Sequence, residues 1–242
     1  MLSLRQKPHP HAPNWPEYFR QRAAAAHSPL LARYFETGMP SPHTPIGEVE
    51  MVALDLETTG MDPRRHAIVS VGMVPFTLSR VRLAERRYWV VRPTRPLSSK
   101  SITLHRITHS EIADAPDLAH ILPELLEMLT GRLAVVHFRH IERPFLNAAV
   151  KARLGGEGLR FPVIDTMSLE ARRHRLSLWA RFRRWMRRPP VSIRLHDSRL
   201  RYGLPPYQGH HALLDALATA ELLQAQIATH YRPQTPIGEL WS

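Results

Sequence analysis

Two acids spaced one residue apart close an apolar run in Val52-Ala53-Leu54-Asp55-Leu56-Glu57-Thr58-Thr59-Gly60. Side chains on an extended strand alternate faces, so Asp55 and Glu57 point the same way. Neighbouring carboxylates repel unless a cation sits between them, and hard divalent ions such as Mg²⁺ or Mn²⁺ take oxygen ligands of this kind. Far downstream, His210-His211-Ala212-Leu213-Leu214-Asp215 sets a histidine and a third acid at the opening of a long apolar-periodic helix. Imidazole titrates near neutral pH, so a histidine beside metal-held carboxylates suits general-base work. Each feature also has a plain reading. Strand ends carry solvated acids, Asp215 could decorate its helix, and His211 stands directly beside His210.

With the Thr-Thr-Gly after Glu57, these segments resemble the first and third motifs of the DEDDh 3′–5′ exonucleases, the family of ribonuclease T, oligoribonuclease and the proofreading epsilon subunit. The third motif there is His, four residues, Asp, and His210 to Asp215 has that spacing. The family's second motif, roughly His-Asn-x-x-Phe-Asp-x-x-Phe-Leu, meets His137-Phe138-Arg139-His140-Ile141-Glu142-Arg143-Pro144-Phe145-Leu146 here. Phe138 replaces the Asn, and Glu142 stands where Asp is expected. Leu104-His105-Arg106-Ile107-Thr108, Ile164-Asp165-Thr166 and Asp215-Ala216-Leu217-Ala218-Thr219-Ala220 fall in family order, so the resemblance runs from about Val49 to Thr229.

The resemblance implies a ribonuclease H-like fold and a two-ion hydrolysis of phosphodiester bonds at the 3′ end of single-stranded DNA or RNA, releasing nucleoside 5′-monophosphates. Carried onto matching positions, Asp55 bridges two Mg²⁺ or Mn²⁺ ions, Glu57 and Asp215 complete the tighter site, and Glu142 holds the second ion through water. His210 is the general base, and Thr58, Thr59 and Met61 line the pocket for the terminal nucleotide. Glu reaches about 1.5 Å further than Asp, a poor fit to direct Mg²⁺ geometry and an easier one through water. The alternative is a weakened site retained for binding nucleic acid or nucleotide, or a subunit that docks another protein.

The elements that must position these groups follow from patterning. Residues 1–46 are Pro- and His-rich with one helix, capped at Asn14, started at Pro16 and ended at Gly38. Residues 47–232 read as the exonuclease domain and 233–242 as a tail. Strands are expected over 48–56, 67–76, 80–91, 133–137 and 161–165. Helices are expected over 98–105, 118–129, from Glu142 to about Leu154, and over 212–230 with Leu213, Leu214, Leu217 and Leu222 as its apolar stripe. Strands first, then strands mixed with helices, give an α/β class with a mixed sheet flanked by helices.

The chain has 242 residues, no cysteine, and a net charge of +12. Cysteine's absence excludes disulfides, thiolate zinc sites and cysteine nucleophiles, and favours a cytoplasmic setting. No run approaches a membrane span. The basic excess favours a polyanionic partner, and its location is informative. Residues 172–201 hold eleven Arg against one acid, Asp197. Within them Leu178, Trp179, Phe182, Trp185 and Met186 share one helical face, with Arg181, Arg183, Arg184, Arg187 and Arg188 around the rest. Three readings stand open: an apolar face docked on the domain with solvated Arg, a phosphate track for single strands, or binding to a membrane surface or partner helix. A short repeat, Thr44-Pro45-Ile46-Gly47-Glu48 and Thr235-Pro236-Ile237-Gly238-Glu239, reads as coincidence between two surface segments rather than a docking motif.

Overall fold

Continuous Val/Ile/Leu/Met runs build the centre of the sheet, where both faces are covered. In the computed structural model, which describes residues 13–94, 109–177, 182, 185–187 and 189–242, the strands are β1 (Met51–Thr58), β2 (Ile68–Phe76), β3 (Arg87–Val90), β4 (Leu133–Val136) and β5 (Val163–Asp165). Their order is β3-β2-β1-β4-β5. The first three run antiparallel, and β4 and β5 join parallel to β1. Every residue of β2 and β4 is buried. The helices are α1 (Trp15–Ala25), α2 (Pro29–Glu36), α3 (His109–Ala113), α4 (Leu118–Leu129), α5 (Arg139–Arg153), α6 (Thr166–His174), α7 (Leu195–Arg201) and α8 (Ala212–His230). This is the mixed, helix-flanked sheet that the patterning implied. The helix expected over 98–105 lies outside the described residues.

Several boundaries differ for physical reasons. The strand expected over 80–91 shrinks to β3, because Leu83–Glu85 turns as a 3₁₀ helix and only Val81 bridges back to Phe76. The single N-terminal helix is two. Pro29 forces its predecessor Ser28 into an extended conformation (ψ 122°), so Ala26 cannot carry α1 into α2. The pair closes on a cluster of edge-to-face rings: Phe19 and Phe35 lie 5.1 Å apart at 81°, and Trp15 and Tyr18 lie 5.6 Å apart at 88°. Each such pair adds about 0.5–1.5 kcal/mol beyond burial. α6 and α7 were not foreseen, since arginine masks their apolar positions. The start of the helix at Glu142 moves back to Arg139, with Phe138 as its cap in a left-handed conformation (φ 95°).

The leucine stripe of α8 is also corrected. Leu222 is buried, but Leu214 is exposed, and the sheet-facing residues include Ala212, Ala216 and Ala220. These small side chains at four-residue spacing let the helix press close onto β1 and β2. The contact is tightest at Gly72, where an added Cβ would lie 2.3 Å from the Ala212 carbonyl. The two short repeats are no coincidence. Pro45 and Pro236 pair antiparallel, Ile46 N–H donates to Thr235 O at 2.9 Å, and Ile237 N–H donates to Thr44 O at 3.0 Å. Both isoleucines are fully buried.

Candidate active site

Asp55 and Glu57 occupy alternate positions near the end of β1, and Gly72 is the cross-strand partner of Asp55. Cross-strand partners share a face, so the missing side chain at Gly72 leaves room for the start of α8 beside Asp55. Asp215, in the first turn of α8, then meets the strand acids. One carboxylate oxygen from each of Asp55, Glu57 and Asp215 lies within 4.8 Å of the others. Burial holds the Asp55 carboxyl well above the usual carboxylate range, and repulsion from Asp215, Glu142 and Glu57 adds to it. Burial raises Asp215 also, against hydrogen bonds from Tyr207 and from the His211 and His210 main chain that favour its charge. Tyr207 donates to its Oδ1 at 2.6 Å, and His211 N–H donates to its Oδ2 at 3.0 Å.

Glu142 stands apart from the three but close enough to repel Asp55. It sits in the first turn of α5 and is 3% exposed, and its Oε2 has no hydrogen-bond partner. Burial pushes its carboxyl up too. A buried carboxylate oxygen without a donor costs free energy unless a cation or a bound water meets it. That orphaned oxygen, with three more carboxylates alongside, fits a hard divalent cation and its water shell.

Around these acids opens a cleft of about 710 Å³. Its lining includes His137, Phe138, Ile141 and Met167, from the end of β4 and the starts of α5 and α6, and Arg194, Leu195, His196, Asp197, Tyr207 and His210, from α7 with its cap and the loop before α8. His210 is exposed and takes a positive φ of 67° just before α8. His211 instead stacks on Tyr88, with ring centroids 4.5 Å apart at 24°. Of the two adjacent histidines, His210 is the one lining the cleft.

The remaining residues picked from sequence fall elsewhere. Thr58 donates its hydroxyl to Gly60 O at 2.7 Å, and Thr59 Oγ1 receives Ala67 N–H at 3.0 Å while contacting His66 Nδ1 at 3.2 Å. Both hydroxyls thus brace the turn after β1, and neither they nor Met61, 68% exposed, line the cleft. Arg181, Arg183, Arg184 and Arg188 lie outside the described residues. Arg187 is exposed at φ 54°. Of the apolar face, Leu178 and Trp179 lie outside the described residues, and Phe182, Trp185 and Met186 are 45%, 77% and 37% exposed.

Sequence reasoning missed four contributors. Gly72 had a signal, since a glycine inside an apolar strand marks close approach of another backbone. Tyr207 had none, because its distance from Asp215 is set by a loop. Its ring rests on the Arg199 guanidinium at 5.0 Å, and Arg199, 2% exposed, is itself held by Ala218 O at 2.9 Å and Pro205 O at 3.1 Å. Arg194 and His196 reach the cleft through α7, hidden in the arginine-rich stretch.

Residues 52–223 match the RNase T family model, described as Exonuclease. The chain belongs to the DEDDh 3′–5′ exonuclease family. It is 28% identical over 176 residues to a DNA polymerase III PolC-type protein of Thermotoga maritima, covering 73% of this chain and 12% of that protein. It is 30% identical over 193 residues to a DNA polymerase III subunit epsilon-like protein of Rhodobacter capsulatus, covering 79% of this chain and 25% of that one. The chain thus spans a quarter or less of these relatives. Among solved structures, the nuclease domain of 3′hExo, described as a DEDDh family member bound to rAMP, superposes with a TM-score of 0.58 at 17% identity, covering 75% of this chain and 92% of that one. Exonuclease X in complex with 5′ overhanging duplex DNA gives 0.54 at 23%, covering 78% and 99%. Both share the ribonuclease H-like sheet. Among the described residues no helix is long and apolar enough to cross a membrane.

Proposed function

We propose that this DEDDh exonuclease hydrolyses phosphodiester bonds at the 3′ end of single-stranded nucleic acid, DNA in preference to RNA, releasing nucleoside 5′-monophosphates. The observation that carries this reading is the convergence of Asp55, Glu57 and Asp215 on the floor of a cleft that also takes in Glu142 and His210. Asp55, Glu57 and Asp215 would hold one divalent ion, with Asp55 shared and Glu142 serving a second through water. Bound there, two such ions, Mg²⁺ or Mn²⁺, supply a hydroxide nucleophile and stabilise charge on the transferring phosphoryl group.

The protein's own groups do the rest. His210, at the open rim, takes the proton from the attacking water. Tyr207 and His211 N–H keep Asp215 from rotating away. Arg194 faces the phosphates of the incoming strand, and the arginines from Arg181 to Arg188 extend that positive track. Thr58, Thr59 and Met61 support the terminal nucleotide indirectly, through the turn after β1. The exposed Phe182 and Trp185 favour a second role for the same segment, docking a protein partner, as the polymerase III relatives suggest. Those relatives and the absence of cysteine also support a cytoplasmic location.

The test is incubation with 5′-labelled single-stranded DNA and RNA in Mg²⁺ and in Mn²⁺, beside His210→Ala. A ladder shortening from the 3′ end, lost in the variant, is the expected result. Binding without a ladder under either ion would assign the site to recognition alone.

A further inference from the structure

The paired repeats are longer than the pentapeptide first noted. Pro42-His43-Thr44-Pro45-Ile46-Gly47-Glu48 and Pro233-Gln234-Thr235-Pro236-Ile237-Gly238-Glu239 differ only at their second residue. Their contacts are related by a local two-fold. Each Ile N–H donates to the other copy's Thr carbonyl, at 2.9 and 3.0 Å, and each Gly N–H donates to the other copy's first Pro carbonyl, at 2.8 Å in both. Each Ile-Gly-Glu then closes a 3₁₀ turn. A Cβ at Gly47 would lie 3.1 Å from Pro233 Cβ, and one at Gly238 would lie 2.9 Å from Pro42 Cβ. Each copy is therefore read by the other through main-chain bonds, a buried isoleucine and a glycine at which a Cβ would press on the other copy's first proline. Those are the elements by which proteins recognise extended peptides.

The two copies differ in attachment. Residues 42–48 run directly into β1. Residues 233–239 follow the exposed Arg232, and beyond them Trp241 bridges to Ile164 and Ser242 exchanges main-chain bonds with Val163. Arg143 and Arg172 donate to Ser242 O at 3.2 Å and Glu239 O at 2.7 Å, the Ser242 hydroxyl donates to Val163 O at 3.5 Å, and the segment's other described hydrogen bonds to the domain are main-chain to main-chain. A second copy of the chain presents the same donors, acceptors and apolar anchors in the same order.

We infer that the 42–48 face is a segment-recognition site, filled by the chain's own residues 233–242 and open to the same segment of a second copy, so that two chains can join by exchanging these segments. Tethering sets a high effective concentration for the chain's own segment, and the closed monomer prevails until that pairing is weakened. Exchange then restores every contact in trans, the low-cost route to a dimer that identical elements provide.

Full-length Gly238→Ala keeps the receiving face and spoils the inserting segment, whereas full-length Gly47→Ala does the reverse. Each alone is expected to sediment as a monomer. Mixed, they should form a 1:1 complex, the Gly47→Ala segment seating in the Gly238→Ala face. A labelled peptide of residues 232–242 should bind Gly238→Ala and not Gly47→Ala. Two mass-tagged wild-type populations, unfolded in urea and refolded together at millimolar concentration, should yield mixed dimers whether or not either variant folds. Monomers alone after co-refolding overturn the inference, as does a folded Gly238→Ala that binds neither peptide nor Gly47→Ala.

Discussion

At the scale of single residues the site is a set of charges that the fold brings together at a cost. The native Asp55 carboxyl holds its proton more tightly than in the unfolded chain, because burial and three acids oppose its charge. Below the unfolded carboxylate range both states are protonated. As pH rises through the window between the two, the unfolded chain sheds protons that the native state retains, and stability falls. In EDTA-treated protein the Asp55 contribution to the melting temperature, read as the difference from Asp55→Asn, should therefore grow more unfavourable as pH is raised from acid to neutral. Asp55→Asn should melt higher, while losing the stabilisation that Mg²⁺ gives the wild type. A metal-free Asp55→Asn no more stable than wild type would refute the charge-crowding account. Tyr207→Phe removes only the hydroxyl bonded to Asp215. Metal titration followed by melting temperature should show affinity weakened about 10-fold or more, the usual loss when a group orienting a ligand is deleted. An unchanged titration would make Tyr207 a packing residue.

At the scale of elements, one acid joins three of them. Asp165 Oδ1 accepts from Phe138 N–H at 3.0 Å and Met167 N–H at 3.1 Å, and Oδ2 accepts from the Ser168 hydroxyl at 2.8 Å. The end of β5 thus caps both α6 and the entry to α5, which carries Glu142. Asp165→Ala should cost about 2 kcal/mol or more in urea unfolding, a cap's loss of about 1 kcal/mol at each helix. A loss under half that would mean the two helix ends are held by other groups. Phe138 sits where the family resemblance expects Asn, and its left-handed φ explains why: a left-handed backbone suits Asn and burdens Phe by about 1–2 kcal/mol. Phe138→Asn should raise the urea midpoint, and an unchanged midpoint would argue that the ring's packing in the cleft offsets the strain. The departure from the motif was legible in the sequence, but its backbone cost was not. The same division holds along the chain. β2, α4 and α8 were legible because long apolar patterns fix them, and Asp55, Glu57 and Asp215 because spacing on such elements fixes direction. α7 and Tyr207 were not, because arginine-rich and proline-rich stretches give no period to read.

Across the whole molecule, buried polar links tie the cleft walls together. His137 is buried at the end of β4. Its Nε2 lies 3.1 Å from Ile193 O, which can only accept, so that nitrogen carries the proton, and Nδ1 lies 2.8 Å from the Thr166 hydroxyl, which in turn lies 3.1 Å from Val136 O. Burial pushes the imidazole down to about 4. Between that value and the ordinary histidine range the unfolded chain binds a proton that the native state refuses, so stability falls as pH falls through the window. His137→Gln should remove this slope from the urea midpoint on the acid side of neutrality, and an unaltered slope would place the titration elsewhere. The segment that Ile193 anchors leads straight to Arg194, so one neutral imidazole helps hold that stretch of the cleft lining in place. Gly72 acts on the same cleft in a different way. Because the start of α8 rests there on main chain, no side-chain repacking between β2 and α8 can widen or narrow the backbone spacing between Asp55 and Asp215. A cavity gauged by backbone contact behaves as a fixed bore. It should grade ions by radius, with the larger Ca²⁺ held in an arrangement unlike that of Mg²⁺, and one methyl group at position 72 would re-gauge it for every ion at once.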